Sequence, residues 1–145
     1  MQGAIYLYEL AIHERHLDTF GHVNNATYLD LLEEARWDLI TRNGYGLEEI
    51  KRLQAGPTIL EINLRFKREV RNRQRITIKS WTESYVGKIC RFQQQMLGEN
   101  QELCCDSTFV LGLFDLRERK LIQPTPEWLR AVGMPVDAAH PHKMV

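Results

Sequence analysis

Asp18-Thr19-Phe20-Gly21-His22-Val23-Asn24-Asn25 sets an acid, a histidine and two asparagines immediately ahead of an amphipathic run. A carboxylate one short loop before a helix N-terminus lies close to backbone N–H groups that carry partial positive charge. Acyl-transfer chemistry needs both parts: a group that attacks or activates water, and donors that hold the oxyanion that forms. Asp18 precedes Asn25 by seven residues, too far to cap the helix, which leaves its carboxylate free for another task. The alternative is a structural Asp, since Asp favours turns. His22 also has two readings. A neutral imidazole can position water or protonate a leaving group, whereas a loop histidine can simply bond to backbone and fix the turn. Asn24 or Asn25 supplies the helix N-cap.

The elements that must position these groups follow from periodicity. Ala4 to His13 is rich in Ile, Tyr and Leu and reads as a strand. From Asn25 to Arg42, Tyr28, Leu31, Leu32, Ala35 and Leu39 recur at helical spacing, with Asn43-Gly44 as the stop. Glu33, Glu34 and Trp37 fall on or beside the polar face of that helix. After a loop containing Gly46, Gly56 and Pro57, four strands are predicted: Thr58 to Lys67, Arg75 to Tyr85, Lys88 to Gly98, and Leu103 to Leu116. Val86-Gly87 and Gly98-Glu99-Asn100-Gln101 have the turn chemistry of antiparallel hairpins. A short helix is predicted from Thr125, with Pro126 in its first turn, through Arg130. Strand, long helix, then four strands predicts an α+β fold in which an antiparallel sheet wraps around one central helix.

The string Asp18-x-x-Gly21-His22-Val23-Asn24-Asn25-x-x-Tyr28-Leu29, followed by Glu33-Glu34-Ala35-Arg36-Trp37, resembles the hotdog-fold thioesterases of the 4-hydroxybenzoyl-CoA thioesterase family, and within them the long-chain acyl-CoA branch. Its His-Val-Asn-Asn core is similar to that of plant acyl-acyl-carrier-protein thioesterases. The resemblance implies a hotdog fold, hydrolysis of fatty acyl-CoA, no metal or organic cofactor, and a homodimer or homotetramer whose acyl tunnel is shared between subunits. It makes Asp18 the catalytic carboxylate, as nucleophile or general base, and aims the Asn25 N–H at the thioester oxygen. A related branch carries His at the position of Asn25, and another uses a helix Glu, which brings Glu33 into consideration beside its reading as a solvated residue. The alternatives are hydrolysis of acyl groups from acyl carrier protein and a non-catalytic acyl-binding module.

Arg65 to Arg75 holds six basic residues and one acid. If strand alternation continued, Arg65, Lys67, Arg71 and Arg73 would share a face and suit the nucleotide phosphates of coenzyme A or an acidic carrier protein. A solvated sheet end is the other reading. The family often has Pro where Glu69 stands.

The 145 residues suit a single domain (1–145), with 134–145 expected to be a mobile tail that includes His140 and His142. Nineteen basic against nineteen acidic side chains gives zero formal charge and argues against a dedicated nucleic-acid binder. No apolar run is long enough to cross a bilayer and no secretory signal is evident, so a cytoplasmic location is expected. Cys90, Cys104 and Cys105 read as buried apolar residues in a reducing compartment. His13, His16, His22 and Asp18 lack the spacing of a helical metal pair, and no metal is expected.

Overall fold

The computed structural model describes residues 2–136. Strand β1 (Tyr6–Ala11) leads through a 3-10 turn (Glu14–His16) and the motif loop into helix α1 (Asn25–Arg42). Helix α2 (Leu47–Leu53) precedes β2 (Ala55–Phe66), β3 (Arg75–Val86), β4 (Ile89–Leu97), β5 (Leu103–Asp115), β6 (Lys120–Ile122) and helix α3 (Pro126–Ala131). The strands pair antiparallel in the order β1-β3-β4-β5-β2, and β6 extends the β4 side of β5. One face of the sheet closes on α1, which is the hotdog arrangement.

Helix α1 forms where the sequence dictates. The Asn24 side chain accepts from the Ala26 N–H at 2.8 Å, and Tyr28, Leu31, Leu32, Ala35, Leu39 and Ile40 are buried. Gly44, at φ 85°, supplies the left-handed residue just beyond the helix. Four elements differ from the sequence reading. The 3-10 turn, α2 and β6 were unpredicted, and β2 begins at Ala55 instead of Thr58. Helix α2 buries only Ile50, so seven residues carry too little periodicity to announce it. Met134, at the start of the expected tail, is 5% exposed, and its N–H donates to the Leu129 carbonyl. Residues 137–145, with His140 and His142, lie outside the described residues.

Strand β2 has its outer edge unpaired among the described residues, and its register against β5 shifts between Ile59 and Glu61. Leu60 is the extra residue of this bulge. Opposite partners in a sheet share a face, so Ile59, Ile62, Leu64 and Phe66 lie on the inner side with the buried Leu111, Phe109, Ser107 and Cys105. Helix α1 covers this part of the inner face only in part: Tyr28 packs edge-on against Phe66 with ring centroids 5.0 Å apart, yet Ile62 and Phe66 are 46% and 49% exposed. An apolar groove therefore runs beside α1 along β2.

A buried amide ties helix to sheet. Gln94 on β4 is fully buried; its Nε2 donates to the Leu32 carbonyl and to Ser80 Oγ, both at 3.0 Å. Its Oε1 accepts from Arg36 Nη1 at 2.9 Å, and its backbone carbonyl accepts from Ser107 Oγ at 2.7 Å. Gln94→Leu leaves the Arg36 cation without this acceptor, and is expected to lower unfolding free energy by about 2–3 kcal/mol, the usual worth of a buried bond to a charged group. Urea denaturation checks this; a loss below about 0.5 kcal/mol, the size of an ordinary surface change, would show that the network does not hold the two layers.

Candidate active site

The motif loop is a closed turn. The Asp18 N–H donates to the His22 carbonyl at 2.8 Å, the Gly21 N–H donates to the Asp18 carbonyl at 3.1 Å, and Leu17 bridges Val23. Gly21 sits at φ 79°, where a side chain would be strained. Asp18 Oδ1 accepts from the Phe20 N–H at 2.9 Å and the His22 N–H at 3.2 Å. The expectation of a wholly free carboxylate is thereby corrected: one oxygen holds the loop, and Oδ2 has no partner among the described residues. The turn needs the carboxylate of Asp18 because its two inward N–H groups have no backbone acceptor.

Beyond the loop, the Asn24 side chain and carbonyl take the Ala26, Thr27 and Tyr28 N–H groups. The Asn25 N–H is left without an acceptor among the described residues, as the first turn of a helix requires. Asn25 also lines an open cavity of about 240 Å³, with Tyr28, Phe66, Lys67, Arg68 and Glu69. His22 Nε2 lies 2.7 Å from Glu69 Oε1, which fastens the loop to the segment after β2. Nothing in the sequence marks this pair, because the partners lie forty-seven positions apart.

The basic residues do not share one face. Strand β2 ends at Phe66, and the Lys67 and Arg68 N–H groups both donate to the Cys104 carbonyl, which breaks the alternation. Arg65 lies on the outer side of the sheet opposite Asp106. Lys67 lines the cavity at the helix N-terminus, whereas Arg71 and Arg73 line a neighbouring cleft with Arg68. That cleft also holds Glu69, Glu99 and Glu102, so it is mixed in charge rather than purely basic. Arg73 is ion-paired with Glu14, which holds the Glu14 carboxyl below its ordinary pKa.

Glu33 is exposed, and lines a second cavity of about 210 Å³ with Arg36 and Trp37. Burial pushes the thiols of Cys90 and Cys105 up to about 12 and raises that of Cys104, so none is held as a reactive thiolate. His16 is buried, and its Nδ1 accepts from the His13 N–H at 2.9 Å, closing the 3-10 turn. Among the described residues no three His, Cys, Asp or Glu side chains converge as a metal site, and no helix is long and apolar enough to cross a membrane.

Comparison with known proteins places this geometry. The family model of the thioesterase-like superfamily matches residues 12–133, from the end of β1 through α3. The chain belongs to the thioesterase-like superfamily. As a member of that superfamily it is a thioester hydrolase. The long-chain acyl-CoA thioesterase FadM of Escherichia coli (strain K12) is 28% identical over 115 residues, covering 79% of this chain and 86% of that protein. Among solved structures, the probable thioesterase YbaW from Escherichia coli superposes with a TM-score of 0.78 at 25% identity, over 90% of this chain and 98% of that one. SAV2348 from Staphylococcus aureus, solved in complex with CoA, shares the superfamily's fold with a TM-score of 0.83 at 14% identity, over 93% of this chain and 89% of that one.

The turn that leads into this thioesterase loop is expected to be acid-sensitive. Burial lowers the His16 pKa from its ordinary value of 6.5, and the nearby Arg15 and His13 act in the same sense. The unfolded chain then takes up the proton first, so this contribution to stability is complete above about 6.5 and falls as pH drops towards the lower folded pKa. His16→Asn keeps an acceptor for the His13 N–H without titrating. Denaturation midpoints between pH 7 and pH 5 are expected to fall less steeply for this variant than for the parent; parallel slopes would remove His16 as the cause.

Proposed function

We propose that the chain hydrolyses fatty acyl-CoA to the free acid and CoA, with chemistry at the loop ahead of α1. The observation that carries this reading is an Asn25 N–H with no acceptor among the described residues, on a residue that lines a cavity just after the Asp18 loop. The thioester carbonyl oxygen is taken by that N–H, where the helix dipole and the donor both stabilise the developing negative charge. Asp18, held by Oδ1, acts through Oδ2 on the carbonyl carbon or on water. His22, fastened to Glu69, holds the loop against the cavity. The E. coli relative named for long-chain acyl-CoA hydrolysis supports the same substrate class.

Within this reading Lys67, Arg68 and Arg71 meet the CoA phosphates. Arg65 faces away and Arg73 is engaged by Glu14. The glutamates among these arginines suit a compact phosphate better than the extended acidic face of a carrier protein. The acyl chain lies in the groove between α1 and β2. A second copy of the chain, pairing along the open edge of β2, closes that groove and makes a homodimer.

Asp18→Asn keeps the Oδ1 acceptor and so the closed loop, while removing the charge. Turnover of long-chain acyl-CoA, followed by thiol release, is expected to fall by roughly two to four orders of magnitude, the range for a positioned base or nucleophile. Near-parental turnover by a purified, folded variant would sink the assignment. Arg71→Ala is expected to raise KM for acyl-CoA with kcat little changed, and to leave an acyl-pantetheine substrate unaffected. Equal impairment of both substrates would reject the phosphate role. Sedimentation showing a fully active monomer of 17.0 kDa would reject the shared groove.

A further inference from the structure

The cavity at the far end of the groove has one feature that an alkyl chain does not explain. Trp37, Ile40, Pro57, Ile59, Phe92 and Trp128 make most of its wall apolar, yet Arg36 is also part of it. The Arg36 guanidinium stacks 4.2 Å above the Phe109 ring and gives Nη1 to Gln94 Oε1. No carboxylate lies within ion-pair distance of it among the described residues. Glu33, exposed beside the same cavity, favours the charged form through space without touching it. Burial brings the pKa down to about 10, so the group stays cationic at neutral pH. A guanidinium offers five N–H donors; Gln94 takes one, and because Arg36 is half-buried and no buried side-chain N or O among the described residues lacks a partner, the others reach accessible space rather than a dry wall.

We infer that this cavity binds the carboxylate end of an apolar chain, with Arg36 as the residue that selects it. Two sources share that chemistry: the distal end of an acyl group whose thioester is at Asp18, or a free fatty acid. Spacing favours the first. Arg36 follows Asn25 by eleven residues, about 16 Å at a helical rise of ~1.5 Å per residue. An extended chain covers roughly 1.2 Å per bond, so about 13 bonds, a chain of about 14 carbons counting both ends, join a thioester carbon to a carboxylate at Arg36. The guanidinium fork matches two carboxylate oxygens, which an ammonium does not reproduce. The inference rests on the acyl-CoA thioesterase reading and names a substrate class for it.

The test compares tetradecanoyl-CoA with the mono-CoA thioester of tetradecanedioic acid, using the full chain and Arg36→Met, which keeps an unbranched apolar stem without the charge. Arg36→Met is expected to lower the ratio of kcat/KM for the ω-carboxy substrate to that for tetradecanoyl-CoA by about 10- to 100-fold, the effect of losing a charge-assisted hydrogen bond; a loss through the Gln94 network acts on both substrates and leaves the ratio unmoved. Inhibition of tetradecanoyl-CoA hydrolysis by free tetradecanoate that is lost in Arg36→Met would identify the free acid as the occupant. An unchanged substrate ratio, with no Arg36-dependent inhibition, overturns the inference. Should Arg36→Met fail to fold, the parent chain decides: its kcat/KM across ω-carboxy thioesters of 8 to 18 carbons is expected to peak at about 14, as the helical rise requires. A monotonic series is the contrary result. Failure of the parent to hydrolyse either substrate would reject the thioesterase reading itself, whereas hydrolysis without discrimination rejects only the Arg36 assignment.

Discussion

Everything chemical in this fold depends on where the first turn of α1 stands, and Gln94 fixes that helix to the sheet. Apolar packing of Leu31, Leu32, Ala35 and Leu39 gives adhesion without direction, because such contacts slide at little cost. A fully buried amide that bonds the Leu32 carbonyl, Ser80 and Arg36 admits one rotation and one axial position. A displacement of the helix would leave at least one of these polar groups unpaired in a dry interior, which is costly. The Asn25 N–H, the oxyanion donor of the proposed function, is thus positioned from the middle of the helix rather than from the loop that holds Asp18.

The sequence announced the large elements because each has strong local signals. Helix α1 shows periodicity, an Asn cap and a glycine stop; the β3–β4 and β4–β5 hairpins show their glycines. The family motif then pointed to the loop and helix N-terminus that the structure brings together. What stayed hidden depends on partners far apart in sequence. Arg36 and Gln94 are fifty-eight residues apart, and nothing in the helical pattern distinguishes Arg36 from a solvated neighbour. The same holds for His22 and Glu69. At Asp18 the reason is the opposite: its partners, Phe20 and His22, lie within its own turn, which the seven-residue spacing to the helix does not reveal.

The basic segment shows how one broken assumption spreads. Alternation assigns Arg65, Lys67, Arg71 and Arg73 to a common face only while a strand continues. Once the Cys104 carbonyl accepts from two successive N–H groups, the chain leaves the sheet, and Arg73 adopts a left-handed conformation at φ 65°. The four side chains then go to the outer sheet surface, the helix mouth and a cleft shared with glutamates. Charge counted along the sequence overstates the field that a ligand meets there.

The Leu60 bulge carries an evolutionary consequence. Strand side chains alternate with a period of two, and the extra residue puts Ile59 and Ile62 on the same face although they are three positions apart. Deleting Leu60 restores unbroken pairing with β5 and leaves Ile59 and Ile62 on the inner side, because both halves of the strand already stand in register with their partners. A deletion elsewhere in the strand turns over the residues between it and the bulge. Drift between related genes should therefore collect single-residue gaps at position 60 and in the loops before Ala55 and after Phe66, and substitutions in the rest of β2.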